Sequence, residues 1–336
     1  MLEIQARARH PVSQVVFRPD GSAFALVQAH DGVTLCDRAT GGVRATMPAP
    51  RAGEHVTTAF CGGSKLLVGT HQRLYLYDCA SGSLLAWQVG WMFAARALSA
   101  RDDRILALTW TGLRELRLPD EAGGPIRSQS RPLTTRASLL ALSPCGQWVV
   151  GAYARENLSL SDVATRRVAA AVAHPSRTAD AYTLAVTFAA DGSRFAVGDG
   201  NEILVYDTPP REPEEEVERP RSDVEVAPKP RLLIKPVFRL GPPEEYPAAP
   251  AAPLAFADEN ARPNLRWNPP VAFTPDGRGL LVRRPRNRVQ LWDVASGTRT
   301  AEWSWRLEVT SLAVAPDGLT AVAGGRFGRT VAWDLE

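Results

Sequence analysis

The chain has 336 residues, of which 45% are aliphatic, aromatic or cysteine, and its 39 basic and 36 acidic side chains leave a net charge of +3. This apolar fraction suffices for a sizeable core and excludes intrinsic disorder of the whole chain. No run of about 18 uncharged apolar residues indicates a membrane-spanning helix, and the small net charge does not favour a nucleic-acid partner. Residues 1–7 contain no apolar signal segment, so we expect a cytoplasmic protein without membrane association.

From the N-terminus onward, one unit recurs: two apolar strands joined by a turn, a short polar loop, and an alternating third strand that usually ends in Asp. The first turn of each unit is rich in Asp and Gly, because Gly adopts positive φ and Asp hydrogen-bonds its own backbone. In chain order these turns are 18–21, 61–64, 100–103, 143–146, 189–192, 274–277 and 315–318. The sequence therefore contains seven copies of the unit.

The third strands define the period of the repeat. In chain order they are 33–37, 74–78, 113–117, 158–162, 203–207, 289–293 and 330–334. Their last residues are 41, 39, 45, 45, 86 and 41 positions apart. Five of these six steps fit one period of about 40–45 residues. The remaining step is two periods long but contains only one recognisable unit.

The turns after the third strands carry a resemblance to a known family. Residues 78–82 (Asp-Cys-Ala-Ser-Gly) and 293–297 (Asp-Val-Ala-Ser-Gly) follow Tyr or Trp, and several first turns read Pro-Asp-Gly. Together with the period, this resembles WD40 repeats in a degenerate form, because the family's Gly-His dipeptide is absent and its usual Asp is kept only as Asp31. The resemblance implies an all-β fold in which 1–336 form a single closed seven-bladed β-propeller.

Each blade of such a propeller needs a fourth strand. Six candidates follow the third strands, at 42–47, 83–89, 125–131, 167–173, 231–238 and 299–305. The seventh unit ends at Glu336, directly after its Trp-Asp. Residues 2–9 can supply the missing strand, so we expect the N-terminal strand to complete the last blade. This closure would remove the exposed edges of an open sheet.

The segment 209–270 interrupts the repeat. It holds 15 of the 27 prolines, and Pro lacks the N–H group that a ladder needs, so we expect no eighth blade here. We predict an acidic, Pro-rich loop at 209–230 within blade 5 and a Pro/Ala-rich excursion at 241–270 before blade 6. Two interpretations stay open, a tolerated surface loop and a docking segment, because loops of this length are usually functional or disordered.

Motifs for catalysis or for cofactors are missing from the sequence. The five histidines form no pair with metal-ligand spacing, and Ser64 lies in a turn that lacks the closing Gly of a nucleophile elbow. The Gly-rich segment 324–329 links two strands and opens no helix, so it does not predict a phosphate site. We therefore predict no enzyme activity, no cofactor and no metal site.

The candidate binding surface is the rim that collects the loops between second and third strands and the links from each fourth strand to the next blade. Clustered guanidinium groups suit carboxylates or phosphates, and Trp and Arg dominate interface hot spots. The predicted site residues are Arg283, Arg284, Arg286, Arg288, Arg326, Arg329, Trp91 and Trp305. The alternatives are a solvated basic rim for the arginines and packing between blades for the tryptophans.

These observations favour a non-enzymatic interaction scaffold, monomeric by itself, that binds protein partners with acidic segments through this rim. Two alternatives remain at this stage. One is a small-ligand-binding or hydrolytic propeller that uses its central channel. The other is that the acidic arm at 209–230 is itself the docking ligand for a partner domain.

Overall fold

The computed structural model describes sixteen stretches of the chain. They are residues 2–5, 10–28, 31–48, 57–70, 73–89, 95–101, 104–109, 112–119, 123–131, 133, 138–152, 157–173, 185–198, 202–210, 233–241 and 270–336. In these stretches the regular structure is made of strands and one 3₁₀ turn at Arg326–Gly328. No helix in the described part of the chain is long and apolar enough to cross a membrane.

The described residues form 29 strands. In chain order they are β1 (Leu2–Gln5), β2 (Val12–Phe17), β3 (Ala23–Gln28), β4 (Gly32–Asp37), β5 (Val43–Met47), β6 (Thr57–Cys61), β7 (Lys65–Gly69), β8 (Arg73–Asp78), β9 (Leu84–Val89), β10 (Ala95–Arg101), β11 (Arg104–Thr109), β12 (Gly112–Arg117), β13 (Arg127–Arg131), β14 (Ser138–Leu142), β15 (Trp148–Ala152), β16 (Asn157–Asp162), β17 (Val168–Ala173), β18 (Ala185–Phe188), β19 (Arg194–Gly198), β20 (Ile203–Asp207), β21 (Leu233–Ile234), β22 (Phe238–Leu240), β23 (Val271–Phe273), β24 (Gly279–Arg284), β25 (Arg288–Asp293), β26 (Thr298–Ser304), β27 (Val309–Val314), β28 (Thr320–Gly325) and β29 (Arg329–Asp334).

Hydrogen bonding groups these strands into seven sheets, which we name blades 1 to 7. Blades 1, 2 and 3 contain β2–β5, β6–β9 and β10–β13, and blade 4 contains β14–β17 with β21. Blade 5 contains β18–β20 with β22, blade 6 contains β23–β26, and blade 7 contains β27–β29 with β1. The expected all-β, seven-bladed arrangement is therefore confirmed.

The ring closes as the sequence predicts. The N-terminal strand β1 pairs antiparallel with β29, with Leu2 opposite Ala332 and Gln5 opposite Arg329. The side chain of Ile4 is only 3% exposed and belongs to an apolar cluster with residues of blade 1, among them Val12. The first strand of the chain thus completes the last blade and contributes to the core beside the first.

The core lies between neighbouring blades. The second strand of blade 1, β3, is buried at every position, since both of its faces are covered by sheets. A strand covered on both faces reads as a continuous apolar run, which explains Ala-Phe-Ala-Leu-Val at 23–27. Apolar clusters of this kind join blade 1 to blade 2 and blade 6 to blade 7.

The structure corrects one expectation, a single fourth strand of blade 5 at 231–238. Leu233–Ile234 (β21) instead pairs in parallel with β17 and extends blade 4, with Leu233 opposite Ala171. Phe238–Leu240 (β22) pairs antiparallel with β20 and is the fourth strand of blade 5. Pro236 separates the two strands because it has no N–H group to donate to a ladder.

Most of the Pro-rich region lies outside the described residues. Of the acidic loop predicted at 209–230, the structure describes only Pro209 and Pro210. Of the excursion predicted at 241–270, it describes only Gly241 and Pro270. Both assignments stay predictions.

Candidate functional site

Two neighbouring hairpin turns form the part of the predicted rim that blades 6 and 7 contribute. The turn between β24 and β25 places Arg286 and Asn287 at φ of 61° and 58°. The 3₁₀ turn between β28 and β29 places Phe327 and Gly328 at φ of 60° and 68°. Such left-handed conformations favour Gly and Asn, so a bulky side chain there carries a steric cost. The two bulky residues at these turns, Arg286 and Phe327, are both exposed.

Most of the predicted arginines at this rim form ion pairs with glutamates. Glu308, on the link from β26 to β27, accepts Arg283 Nη2 at 3.2 Å and Arg326 Nε at 2.6 Å through its two carboxylate oxygens. Arg288 Nη1 lies 3.7 Å from Glu302 Oε1, and Arg329 Nη1 lies 3.1 Å from Glu3 Oε1. The rim therefore presents paired charges of both signs rather than a purely cationic cluster.

Arg284 departs from the expectation of an exposed contact. It is 9% exposed, its Nε lies 3.4 Å from Gln290 Oε1, and its terminal nitrogens lie 3.4 Å from the carbonyl oxygen of Gly241. Burial, followed by the positive charge of Arg288, lowers the pKa of Arg284. The guanidinium of Arg284 thus links blade 6 to Gly241, the residue after β22. It is not exposed for contact with a partner.

Trp305 also differs from the expectation of an apolar anchor. It is 8% exposed and packs in the cluster between blades 6 and 7 with Leu281, Val289 and Trp333. A Cβ atom at Gly325 would lie only 2.5 Å from Trp305 Cζ3, so the glycine makes room for the indole. Trp305 therefore packs between two blades, which is the alternative interpretation given above for the tryptophans. The other predicted tryptophan, Trp91, lies outside the described residues.

One exposed apolar group on the part of this rim that the structure describes was not predicted from the sequence. Phe327 is 66% exposed at the tip of the blade 7 turn, between Arg326 and the strand that begins at Arg329. The sequence contained a signal, an aromatic residue inside the Gly-rich segment 324–329. The sequence pattern predicted a binding role only for the arginines of this segment, Arg326 and Arg329.

Metal-ligand clusters and exposed thiols are absent from the described residues. No group of three or more His, Cys, Asp or Glu side chains among them is arranged to hold a metal ion. All four cysteines are buried and free, and burial raises the pKa of Cys36 and that of Cys61 to about 12. A thiolate nucleophile at either position is therefore disfavoured near neutral pH.

The fold is shared with solved propellers. Over 100% of both chains, the structure matches the crystal structure of the Cps50 (Swd1) β-propeller domain of Myceliophteria thermophila, with a TM-score of 0.68 and 14% sequence identity. The chain has a WD40-like propeller fold. No family model and no curated protein matches the sequence, so the WD40-like character is supported by the fold and by the repeat motifs.

Proposed function

We propose that this propeller is a non-enzymatic interaction scaffold that binds protein partners through the rim formed by the turns of blades 6 and 7. The observation that supports the proposal most directly is Phe327, an aromatic residue with positive φ and a largely exposed ring. A backbone conformation of this kind costs roughly 1–3 kcal/mol and tends to persist at functional sites. An interface would use the exposed ring as an apolar anchor.

The charges around Phe327 indicate which partner fits. Arg326 is exposed, and its carboxylate partner Glu308 already binds a second guanidinium, that of Arg283. Arg329 pairs with Glu3, and both side chains are about half exposed. Exposed pairs of this type contribute at most about 1 kcal/mol each, so an incoming carboxylate can exchange with them at little cost. We therefore propose a partner segment that combines an apolar side chain with acidic residues.

Affinity purification with full-length variants tests this proposal. Phe327→Asn removes the ring while keeping a residue that accepts positive φ, so the fold is retained and partner recovery is expected to fall at least about tenfold. Leu319→Asn is the matched control, because Leu319 is another exposed apolar residue, 43% exposed, directly after the first turn of the same blade. If the wild-type protein and Phe327→Asn recover the partner equally well, this rim is not the partner-binding surface.

Charge reversal provides a second test of the same surface. Arg326→Glu together with Arg286→Glu should weaken recovery of an acidic partner, because both positions then repel it. The wild-type interaction should also weaken as salt rises from about 0.05 to 0.3 M, since exposed charges are screened. If neither the charge reversal nor the rise in salt weakens the interaction, this rim does not bind acidic segments.

A further inference from the structure

We infer that the outer edge of blade 2, at residues 87–89 of β9, binds an extended segment of a partner protein as an added fifth strand. The outermost strand of this blade is β9, and no strand in the described part of the chain pairs with its outer edge. Three apolar side chains of β9 are about half exposed, Leu84 at 48%, Trp87 at 55% and Val89 at 52%. An exposed apolar patch of this kind marks a candidate interaction surface.

The three exposed side chains lie on one face of the sheet. They stand directly opposite Tyr77, Tyr75 and Arg73 of β8, and side chains that stand opposite each other in an antiparallel pair project from the same face. Tyr75 and Tyr77 belong to the apolar cluster between blades 1 and 2. The exposed side chains of β9 therefore continue the face that turns toward blade 1 and form one apolar surface at its outer margin.

Most outer strands of this propeller are protected by charge. Uncovered edge strands usually carry charged side chains, which disfavour pairing with another chain. Five of the outer strands, β1, β5, β13, β22 and β26, follow this rule through Glu3, Arg44, Arg127, Arg239 and Arg299. Among the seven outer strands that the structure describes, only β9 and β17 contain no charged residue.

Blade 4 shows what covers an outer strand without charge. The two-residue strand β21 pairs in parallel with β17, with Leu233 opposite Ala171 and Ile234 opposite Val172. Ile234 also packs against the apolar cluster between blades 4 and 5. The molecule thus contains one charge-free outer strand that receives a short apolar strand from elsewhere in the chain, and a second one, β9, whose edge is uncovered.

The two strands correspond position by position at this edge. Trp87 stands opposite Tyr75, the third residue of β8, and Ala171 stands opposite Ser159, the third residue of β16. Trp87 therefore occupies the position at which β21 begins to pair in blade 4. Residues 208–232 precede β21 in the chain, whereas β9 and β10 are joined by residues 90–94 alone. Blade 2 thus has no long insertion beside it that could supply a fifth strand.

The length of the edge favours an extended segment over a second copy of this chain. The carbonyl oxygen of Leu85 already accepts the N–H group of Gly123, from blade 3, at 2.6 Å. Residues 87–89 are therefore the part of β9 that is open to pairing. Two such short edges would bury less than the roughly 1,200 Å² of a stable interface between proteins. An extended segment needs no more than the two-residue pairing that β21 makes with β17.

Arg73 indicates the charge of the segment. Its Nη1 donates to the hydroxyl oxygen of Tyr75 at 3.3 Å, and no carboxylate of the described residues forms an ion pair with its guanidinium. An added strand would lie two strand spacings, about 10 Å, from the backbone of Arg73, a gap that the side chains of Arg and Glu span together. We therefore expect a segment parallel to β9, with an apolar residue beside Trp87 and, two residues later, an acidic residue beside Val89.

A titration followed by amide chemical shifts tests the site. The probe is the capped hexapeptide Val-Thr-Leu-Thr-Glu-Thr, added to the full chain, and it should shift the amides of Gln88 and Val89 saturably. The same peptide with Gln in place of Glu should bind about tenfold more weakly, because it lacks the charge that meets Arg73. A peptide with Pro in place of the central Thr should not bind, because Pro removes an N–H group from the ladder. Absence of saturable shifts, or equal binding of the Pro peptide, would overturn the assignment.

Variants of the chain separate this edge from non-specific binding. Trp87→Thr keeps a residue suited to strands and should weaken the hexapeptide about tenfold. Val43→Thr is the matched control, because Val43 is 53% exposed on the outer strand of blade 1, and it should bind the peptide as the wild type does. Arg73→Gln should bind the Glu and Gln peptides equally, whereas a merely structural role of Arg73 would weaken both alike. Unchanged binding by Trp87→Thr would contradict the proposal.

Sedimentation of the free chain tests the other occupant. We expect no dimer that Trp87→Thr dissociates, and such a dimer would make a second copy the occupant and overturn the assignment. Phe327→Asn should bind the hexapeptide as the wild type does, because Phe327 lies in blade 7, two blades away from β9. Failure of this inference is therefore distinguishable from failure of the function proposed for the rim around Phe327.

Discussion

Phe327 combines, at the scale of one residue, an exposed side chain with a backbone conformation that disfavours it. Its φ of 60° is one that Asn or Gly adopts at lower cost, and the adjacent Gly328 meets the same demand without strain. Its ring gains little from burial, because two thirds of it is exposed. Nothing in the packing of the ring therefore offsets the strain in the isolated chain.

This leads to a prediction on stability. Phe327→Asn should raise the free energy of unfolding by about 0.5–1 kcal/mol, because the backbone strain is relieved and little apolar burial is lost. Urea denaturation of the full chain measures the change, with Leu319→Asn as the control that should differ from wild type by less than about 0.5 kcal/mol. A loss of stability by more than about 1 kcal/mol would mean that the ring supports the fold.

Thiol reactivity provides a second prediction at the same scale. Burial raises the pKa of Cys36 and that of Cys61 to about 12, and the pKa of Cys79 to about 11. The thiolate forms only as pH approaches those values, so at pH 8 the native chain should react slowly with a disulfide reagent. The same reagent should titrate four thiols at once in urea. Rapid reaction of a native thiol would contradict the burial of these side chains.

At the scale of the element, β1 connects the two ends of the chain. Its pairing with β29 covers an edge that would otherwise be open to other chains. The buried Ile4 adds apolar contact with blade 1. The last blade therefore depends on residues that are about 330 positions away in sequence, an arrangement that a seven-fold repeat lacking one strand made foreseeable.

Substitutions in β1 test this dependence. Ile4→Ala should lower the free energy of unfolding by about 2–4 kcal/mol through the lost burial and the cavity left behind. Val43→Ala is the control, because Val43 is exposed on the outer strand of blade 1 and its truncation should cost less than about 0.5 kcal/mol. Deletion of residues 1–9 should destabilise the chain more than Ile4→Ala. If the wild-type chain, Ile4→Ala and the deletion variant have equal free energies of unfolding in urea, β1 is dispensable for the fold.

The elements differ in how far the sequence could predict them. The strands and first turns could be predicted from the repeat, because Asp-Gly turns and the alternation of apolar and polar residues are local signals. The separation of β21 from β22 was not predicted, since β21 pairs in parallel with a strand that ends about sixty positions earlier. The burial of Trp305 was also not predictable locally, because it depends on the room that Gly325 leaves in the next blade.

At the scale of the whole molecule, the two rims of blades 6 and 7 have different chemistry. One carries Phe327 among paired arginines and glutamates, and the other holds a cleft lined by aspartates and by Arg278. A closed ring keeps both rims accessible, because its cohesion comes from contacts between blades.

The central claim is that partners contact the rim at Phe327. Site-specific photo-crosslinking tests it most directly, with benzoylphenylalanine placed in the full chain at position 327 and, as a control, at position 319 on the opposite rim. We predict a partner adduct from position 327 that decreases when Arg286 and Arg326 are changed to Glu, and a much weaker adduct from position 319. Adducts of equal yield from both positions, or an adduct only from position 319, would contradict the account.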